Sequence, residues 1–495
     1  MTGIERYRMF INGEWVEAAS NRSFDSYNPY TGRVWATMPE ADQEDVDRAV
    51  GAARDAMENP AWNTMGPMRR GDLLRRLADL LRENAASMAQ VETRDNGKLI
   101  REMLAQARAL PGYYYYYAGL ADKITGETIP LENQSIFNYT LREPIGVVAV
   151  VTPWNSPLLI LGFSLAAVLA AGNTAVVKPS EHASASTLEF ARLVEKAGFP
   201  PGVFNVVTGF GPTAGSALVG HKGVDKVVFT GGTEVGKSVA MLAAGNTTPL
   251  LLELGGKSPN IVFEDAVIPD AVNGCIAGIF AAAGQTCLAG SRLLLQEKVH
   301  DEFMARLVER TKAIRLGDPS DMESEMGPLA TSDQLGRTER FVAGAIGEGA
   351  RLVCGGRRPE DPALGQGWFY LPTIFDNVGN DMRLAQEEVF GPVLAVLTFR
   401  EEEEAIALAN RTRYGLAAGI WTNDLKRAHR TAKRLQAGTV WINTYRALSY
   451  ASPFGGYKQS GYGREMGVEA LREFTRVKSV WVSLGGRMAD PFVIR

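Results

Sequence analysis

The sequence predicts an α/β protein: a doubly wound, mostly parallel sheet followed by a second α/β region. Three observations carry this reading. From Ile145 onward, apolar runs of strand length alternate with stretches of helical periodicity. The first run, Ile145 to Val151, is continuously apolar and rich in β-branched residues, the mark of a parallel strand buried on both faces. Glycine-rich turns at 209–214 and 229–236 each follow a strand, where ligands bind in such sheets.

Taken in order, Phe10 to Val16 has two short apolar runs around Asn12-Gly13, a hairpin signal. Tyr27-Asn28-Pro29-Tyr30-Thr31-Gly32 is a turn. Helical spacing covers 42–57 and 67–90, where Leu73, Leu74, Leu77, Leu80 and Leu81 make one face. Residues 103–120 continue helical, and the tyrosines from Tyr113 to Tyr117 are expected to pack in the core and at the surface. Ile136 to Leu141 alternates like a strand, so 124–144 reads as an excursion that packs elsewhere. After the strand at 145–151 come a helix at 158–171, a strand at 174–178, a helix at 185–197 and a strand at 204–207. A strand at 227–230 and a helix from about Glu234 to Ala244 follow. The second region has helices near 266–282, 298–315, 332–348 and 401–410, and strands near 291–296, 393–399 and 438–443.

A chain of 495 residues is expected to form two or three domains. With 52 basic and 56 acidic residues, the net charge of −4 argues against a nucleic-acid partner, which asks for a basic face. Cys275, Cys287 and Cys354 are too few for a disulfide framework and suit a reducing compartment, so a cytoplasmic protein is expected. His182, His221, His300 and His429 lie far apart in sequence, and no metal site is expected. The first residues, Met1-Thr2-Gly3-Ile4-Glu5-Arg6, lack the apolar core of a signal peptide. The apolar stretch Leu158 to Ala171 is shorter than the roughly 20 residues of a membrane span. It reads as a buried helix, and no membrane partner is expected.

Several motifs bear chemistry, each with a plainer alternative. Gly209-Phe210-Gly211-Pro212-Thr213-Ala214 fits a dinucleotide fingerprint, although Pro212 is unusual in a phosphate cradle. The competing turn, Phe229-Thr230-Gly231-Gly232-Thr233-Glu234-Val235-Gly236, would offer phosphate the free N–H groups of a helix start. Lys178 and Glu181 end the second strand; they can bond ribose hydroxyls or form a surface ion pair. Cys287 lies among small residues, Gly284, Ala289 and Gly290; it is a nucleophile or a buried structural thiol. Glu253 follows the apolar Pro249-Leu250-Leu251-Leu252; burial would make it a general base, or Lys257 would hold it as a strand-end carboxylate. Asn155, in Pro153-Trp154-Asn155-Ser156-Pro157, can aim a donor at an oxyanion or simply shape a turn.

These stretches closely resemble the aldehyde dehydrogenase superfamily, and the match runs over nearly the whole chain. It takes in residues 153–155, 178–181, 229–231, 253–257 and 284–287, then Glu388-Val389-Phe390-Gly391-Pro392 and Pro453-Phe454-Gly455-Gly456-Tyr457-Lys458. The resemblance implies that Cys287 is the nucleophile, Glu253 the base, and Asn155 with the Cys287 N–H the oxyanion hole. It implies that Lys178 and Glu181 hold the adenosine ribose, Gly231 and Gly232 the pyrophosphate, and Glu388 the nicotinamide ribose, with Phe390 beside it. Thr152, Pro153, Trp154, Ser180, Gly211, Phe229, Val235 and Leu254 complete the implied cofactor site, with the 209–214 turn near the adenine. Gly232 departs from the pattern, since many members carry serine there.

The implied parts are a cofactor-binding domain over 1–123 and 145–252, a catalytic domain over 253–455, and an oligomerisation segment from 124–144 and 474–495. The last would join subunits into a homodimer or homotetramer. The implied reaction oxidises an aldehyde to a carboxylate through a thiohemiacetal and a thioester. NAD is the expected cofactor, because Glu181 would repel the 2′-phosphate of NADP, which is expected to serve more poorly. In the family, the aldehyde funnel is lined at positions held here by Ser156, Leu159, Ile160, Phe163, Ala281, Tyr445, Arg446, Leu448 and Phe454. Small Ser156 and Ala281 imply a wide pocket, and Arg446 can match a carboxylate, face solvent or pair with an acid. A bulky, aromatic or carboxylate-bearing aldehyde is expected. Two rivals are the CoA-acylating branch, which does without Glu253, and a non-catalytic protein on the same fold, which need not keep thiol, base and amide together.

Overall fold

The computed structural model describes residues 3–486, 488 and 490–493. Residues 1 and 2 of the opening stretch, and 487, 489, 494 and 495 of the expected 474–495 segment, lie outside the described residues.

Among the described residues the first sheet has eight strands. Its parallel middle runs Leu250–Glu253, Lys226–Thr230, Val147–Thr152, Thr174–Pro179, Phe204–Val206 in spatial order. The chain moves outward one way from Val147–Thr152, then returns to start Lys226–Thr230 on its other side. That reversal opens a crevice at the carboxyl ends of these two strands. The predicted hairpin, Met9–Ile11 with Glu14–Val16, closes one edge antiparallel. Gly461–Tyr462 returns from the far end of the chain to close the other, pairing Gly461 with Glu253.

The helix Pro157–Ala170 is buried along almost its whole length, as expected of a core helix. Among the described residues no helix is long and apolar enough to cross a membrane. The helical stretch at 67–90 is two helices, Pro67–Glu83 and Ala85–Asn96, broken at Asn84, whose ψ of 10° leaves the helical range. Tyr113, Tyr114 and Tyr117 are buried, while Tyr115 and Tyr116 are only partly so.

The second sheet has seven strands among the described residues, all parallel except the antiparallel edge strand Arg351–Cys354. Sequence patterning finds Arg292–Gln296, Val393–Phe399 and Thr439–Ile442. It does not find Pro259–Val262, which opens on a proline, or Ala417–Trp421, whose Ala-Ala-Gly start lacks strand-forming residues. Arg351–Cys354 and Thr373–Asp376 are also missed, as is the helix Leu425–Arg434, whose basic face carries little apolar signal. The excursion pairs with the C-terminal strand: Ile136–Pro144 runs antiparallel to Thr475–Ser483 and to Thr128–Ile129.

Candidate active site

The crevice of the first sheet holds a cavity of about 650 Å³. The ends of three strands line it: Thr152 and Pro153, Lys178 with Ser180 and Glu181, and Phe229 with Gly231 and Gly232. Trp154, Gly211, Pro212 and Val235 also line it. Above it starts the helix Thr233–Ala244, whose first turn has no side-chain cap, so its N–H groups remain free for an anion. At Gly232 an added Cβ would meet nothing within 4 Å. The competing turn at 209–214 leads into a π-helical turn, Gly211–Gly215, and lines the same cavity.

Lys178 is buried and donates to Pro179 O at 2.9 Å and to Glu181 Oε2 at 3.4 Å. Burial lowers the Lys178 pKa. Burial pushes the Glu181 carboxyl up, but Lys178 and its own backbone N–H outweigh this, so Glu181 stays below the usual carboxylate value. It is therefore an ionised acceptor at neutral pH.

A second cavity of about 340 Å³ continues from the first past Pro153, Trp154 and Gly231. It is lined by Asn155, Ile160, Glu253, Leu254, Cys287, Glu388 and Phe390, so thiol, carboxylate and amide meet in one space. Gln334, Arg337 and Arg413 also line it. No local signal marks these three in the sequence; only folding the 332–348 helix onto the Glu388 loop brings two of them here. Trp154 and Phe390 meet edge to face, 5.3 Å between centroids, and Phe390 holds a φ of 61° that only surrounding structure sustains.

Glu253 is buried and neither carboxylate oxygen has a hydrogen-bond partner among the described residues. Burial and the neighbouring Glu465 carboxyl raise it well above the ordinary value; Arg464 opposes them. Glu465 itself is pushed up to about 8 by burial. Lys257 does not hold Glu253: its ammonium has no partner either, and burial drives it down to about 7. A carboxylate so raised accepts a proton readily once ionised. Glu388 accepts from Gly256 N–H at 3.0 Å, and burial lifts its pKa to about 7.

The turn before Cys287 is strained. Ala282 and Ala283 have φ of 55° and 50°, a region that costs residues bearing a Cβ, and Glu102 holds the Ala282 N–H at 2.9 Å. Gly284 follows at φ 72°, where an added Cβ would lie 2.1 Å from Gly391 O. At Gly256 one would lie 2.5 Å from Cys287 O. These two glycines let three backbone segments converge on the thiol. Cys287 is partly buried; burial, with Glu388 and Glu253, pushes its thiol up to about 12, while Lys98 and the Cys287 N–H pull it down. Asn155 Nδ2 donates to Gln285 O at 3.1 Å, which fixes the amide beside the thiol and leaves its second N–H.

The expected substrate-lining residues divide. Ile160 lines the second cavity, and Leu159 is half-buried against the core of the first sheet. Phe163 and Phe454 are buried, with ring centroids 6.1 Å apart, and Phe163 lies 5.4 Å from Tyr113. Tyr450, absent from the sequence reading, extends this aromatic group from Tyr113. Leu448 is exposed and Ala281 half-buried. Tyr445 is folded behind the thiol loop with its hydroxyl on Leu288 O at 3.0 Å. Arg446 is half-buried and pairs with no acid among the described residues; Nη1 donates to Ala277 O at 3.3 Å. Ser156 is buried under the ammonium of Lys98, another residue that the sequence reading missed.

Residues 15–480 match the family model described as the aldehyde dehydrogenase family. The chain is 47% identical to a (Z)-2-((N-methylformamido)methylene)-5-hydroxybutyrolactone dehydrogenase of Acinetobacter baylyi, over 99% of this chain and 100% of that one. It is 46% identical to a betaine aldehyde dehydrogenase of Bacillus subtilis, over 96% of each. The crystal structure of a betaine aldehyde dehydrogenase from Staphylococcus aureus in complex with NAD+ superimposes with a TM-score of 0.97 at 41% identity, covering 98% of this chain and 97% of that one.

Proposed function

Since this chain belongs to the aldehyde dehydrogenase family, we propose that it oxidises an aldehyde to the carboxylate with NAD, using Cys287 as nucleophile and Glu253 as base. The observation that carries this reading is the shared cavity of Cys287, Glu253 and Asn155, continuous with the larger cavity at the strand ends. The uncapped helix start at Thr233, the ionised Glu181 and the Trp154–Phe390 pair suit phosphate, ribose and a flat ring respectively. Bound there, NAD supplies the acceptor for the hydride leaving the substrate carbon.

The Cys287 thiolate adds to the aldehyde carbon, and the oxygen takes up the negative charge. Asn155 Nδ2 and the Cys287 N–H donate to that oxygen and stabilise it. Loss of hydride leaves a thioester on Cys287. Glu253 then takes a proton from water, the hydroxide adds to the thioester, and the carboxylate departs as the thiol is restored. Each turnover consumes aldehyde, water and NAD+ and yields carboxylate, NADH and two protons. In the fold we place the cofactor-binding domain at 1–123 and 145–252 and the catalytic domain at 253–455. The excursion 124–144 with 474–495 would be the surface between subunits. Phe137, Leu141, Val477 and Trp481 are exposed on that small sheet, which supports a homo-oligomer; sedimentation at the monomer mass would oppose it. Three free cysteines support a cytoplasmic setting.

The substrate we propose is a bulky or oxygen-rich aldehyde, with an acidic group favoured over a quaternary ammonium. Ser156 is small, and Lys98 beside it with Arg446, which pairs with no acid among the described residues, are the cations that support this reading, against Glu102 and Glu92 near Lys98. The test is NADH absorbance with a substituted aromatic aldehyde, a carboxylate-bearing semialdehyde, betaine aldehyde and a short alkanal, using NAD and NADP in parallel. NAD and the aromatic or carboxylate aldehydes are expected to give the highest kcat/KM, and Arg446→Ala to lose the carboxylate preference. A preference for the short alkanal, for betaine aldehyde or for NADP contradicts the respective part.

A further inference from the structure

The end of the helix Ala85–Asn96 and the segment joining it to the helix Ile100–Leu120 brace the turn that carries Asn155. Glu92 Oε1 accepts from Leu158 N–H at 3.2 Å, and Asn96 Nδ2 donates to Trp154 O at 3.3 Å. Between these two contacts, Lys98 Nζ donates to Ser156 Oγ at 2.9 Å. Lys98 is only 4% exposed, and Ser156 Oγ is its one acceptor among the described residues. An ammonium has three donors, so this cation is buried with two of them unused. Placing a charge there costs solvation free energy, and a purely structural contact to a serine would not need one.

We propose that Lys98 is a positioning residue for the reaction: its buried ammonium, seated on Ser156 one residue beyond Asn155, is the fixed positive charge that favours the Cys287 thiolate. This rests on Cys287 being the reactive thiol. The charges around that thiol are Glu388 and Glu253, which disfavour the thiolate, and Lys98, which favours it. Around Lys98 itself, burial lowers the ammonium to about 8; Glu102, Glu92 and the thiolate support its charge, and Arg446 opposes it. Lys98 therefore remains cationic at neutral pH. Glu102 also holds Ala282 in the strained turn, so one group steadies both the cation and the backbone before the thiol.

The readout is the pH dependence of Cys287 alkylation by iodoacetamide in the cofactor-free full-length protein, with the label mapped by peptide mass. Below about pH 8, where Lys98 is charged, Lys98→Met should slow alkylation about tenfold at a given pH, a shift of the profile by about one pH unit or about 1.4 kcal/mol. Lys98→Arg should return the rate to within about threefold of wild type, because it restores the charge. A Lys98→Met protein with wild-type thermal unfolding and an unshifted profile overturns the proposal, and Lys98→Gln is read in the same way. A measurement on wild type needs no variant: the ratio of iodoacetate to iodoacetamide rates should fall as pH rises through about 8, and a flat ratio contradicts the role. A label on Cys275 or Cys354 instead would sink the assignment of Cys287 itself, and Lys98 with it; a label on Cys287 with an unshifted profile sinks Lys98 alone.

Discussion

Glu253 and Glu465 are two carboxyls buried within reach of each other's charge, and neither can ionise as an exposed glutamate does. Glu465 contributes to the raised pKa of Glu253, so the basic form appears only as pH rises. Turnover limited by thioester hydrolysis should therefore climb with pH through the Glu253 pKa. Glu465→Gln removes the neighbouring negative charge, lowers that pKa and should move the rising limb of kcat toward acid by about one unit. A limb that stays in place or moves toward alkali contradicts this coupling. Glu465 left no mark in the sequence reading, since nothing in its own neighbourhood points at Glu253, 212 positions earlier (465 − 253). Lys98 was hidden for the same reason, its partner Ser156 lying 58 residues away. Cys287, Glu253 and Asn155 were legible because each sits in a short run whose small or apolar neighbours already suggest the local environment.

The element that sets the thiol is the turn from Ala281 to Gly284, between the helix Ile268–Ile279 and the strand Arg292–Gln296. Its left-handed residues stop the helix and aim Cys287 back at the first sheet. Gly284→Ala would add strain at positive φ and a clash with Gly391 O, and the loop would have to shift. A displacement on the order of 1 Å should cost about 100-fold in kcat/KM while the protein still folds. Activity within a factor of about three of wild type would show that the loop has slack. The sequence made Gly284 suspicious but gave no sign that two alanines share its conformation, because alanine avoids that region unless packing imposes it. At the same scale the parallel strands rich in valine and leucine were legible. Pro259–Val262 and Ala417–Trp421 were not, because long-range pairing rather than local propensity makes them strands.

On the scale of the whole molecule, the doubly wound first sheet was readable because its strands and helices follow one another directly in the chain. The strand that closes its C-terminal edge was not, since Gly461–Tyr462 arrives from more than 200 residues away, as the pairing of Gly461 with Glu253 records. That arrangement brings residues from the ends of both sheets into one cavity. Glu253 ends a strand of the first sheet, and Cys287 stands on the turn that leads into the second. In the proposed mechanism these two groups act on one acyl group in succession, the thiol to form it and the carboxylate to release it. Rapid mixing of Glu253→Gln with aldehyde and NAD tests it most directly. One equivalent of NADH per Cys287 is expected, followed by a stall with the acyl group on Cys287 in the intact mass spectrum. Steady turnover at the wild-type rate with no accumulated acyl-enzyme would contradict it.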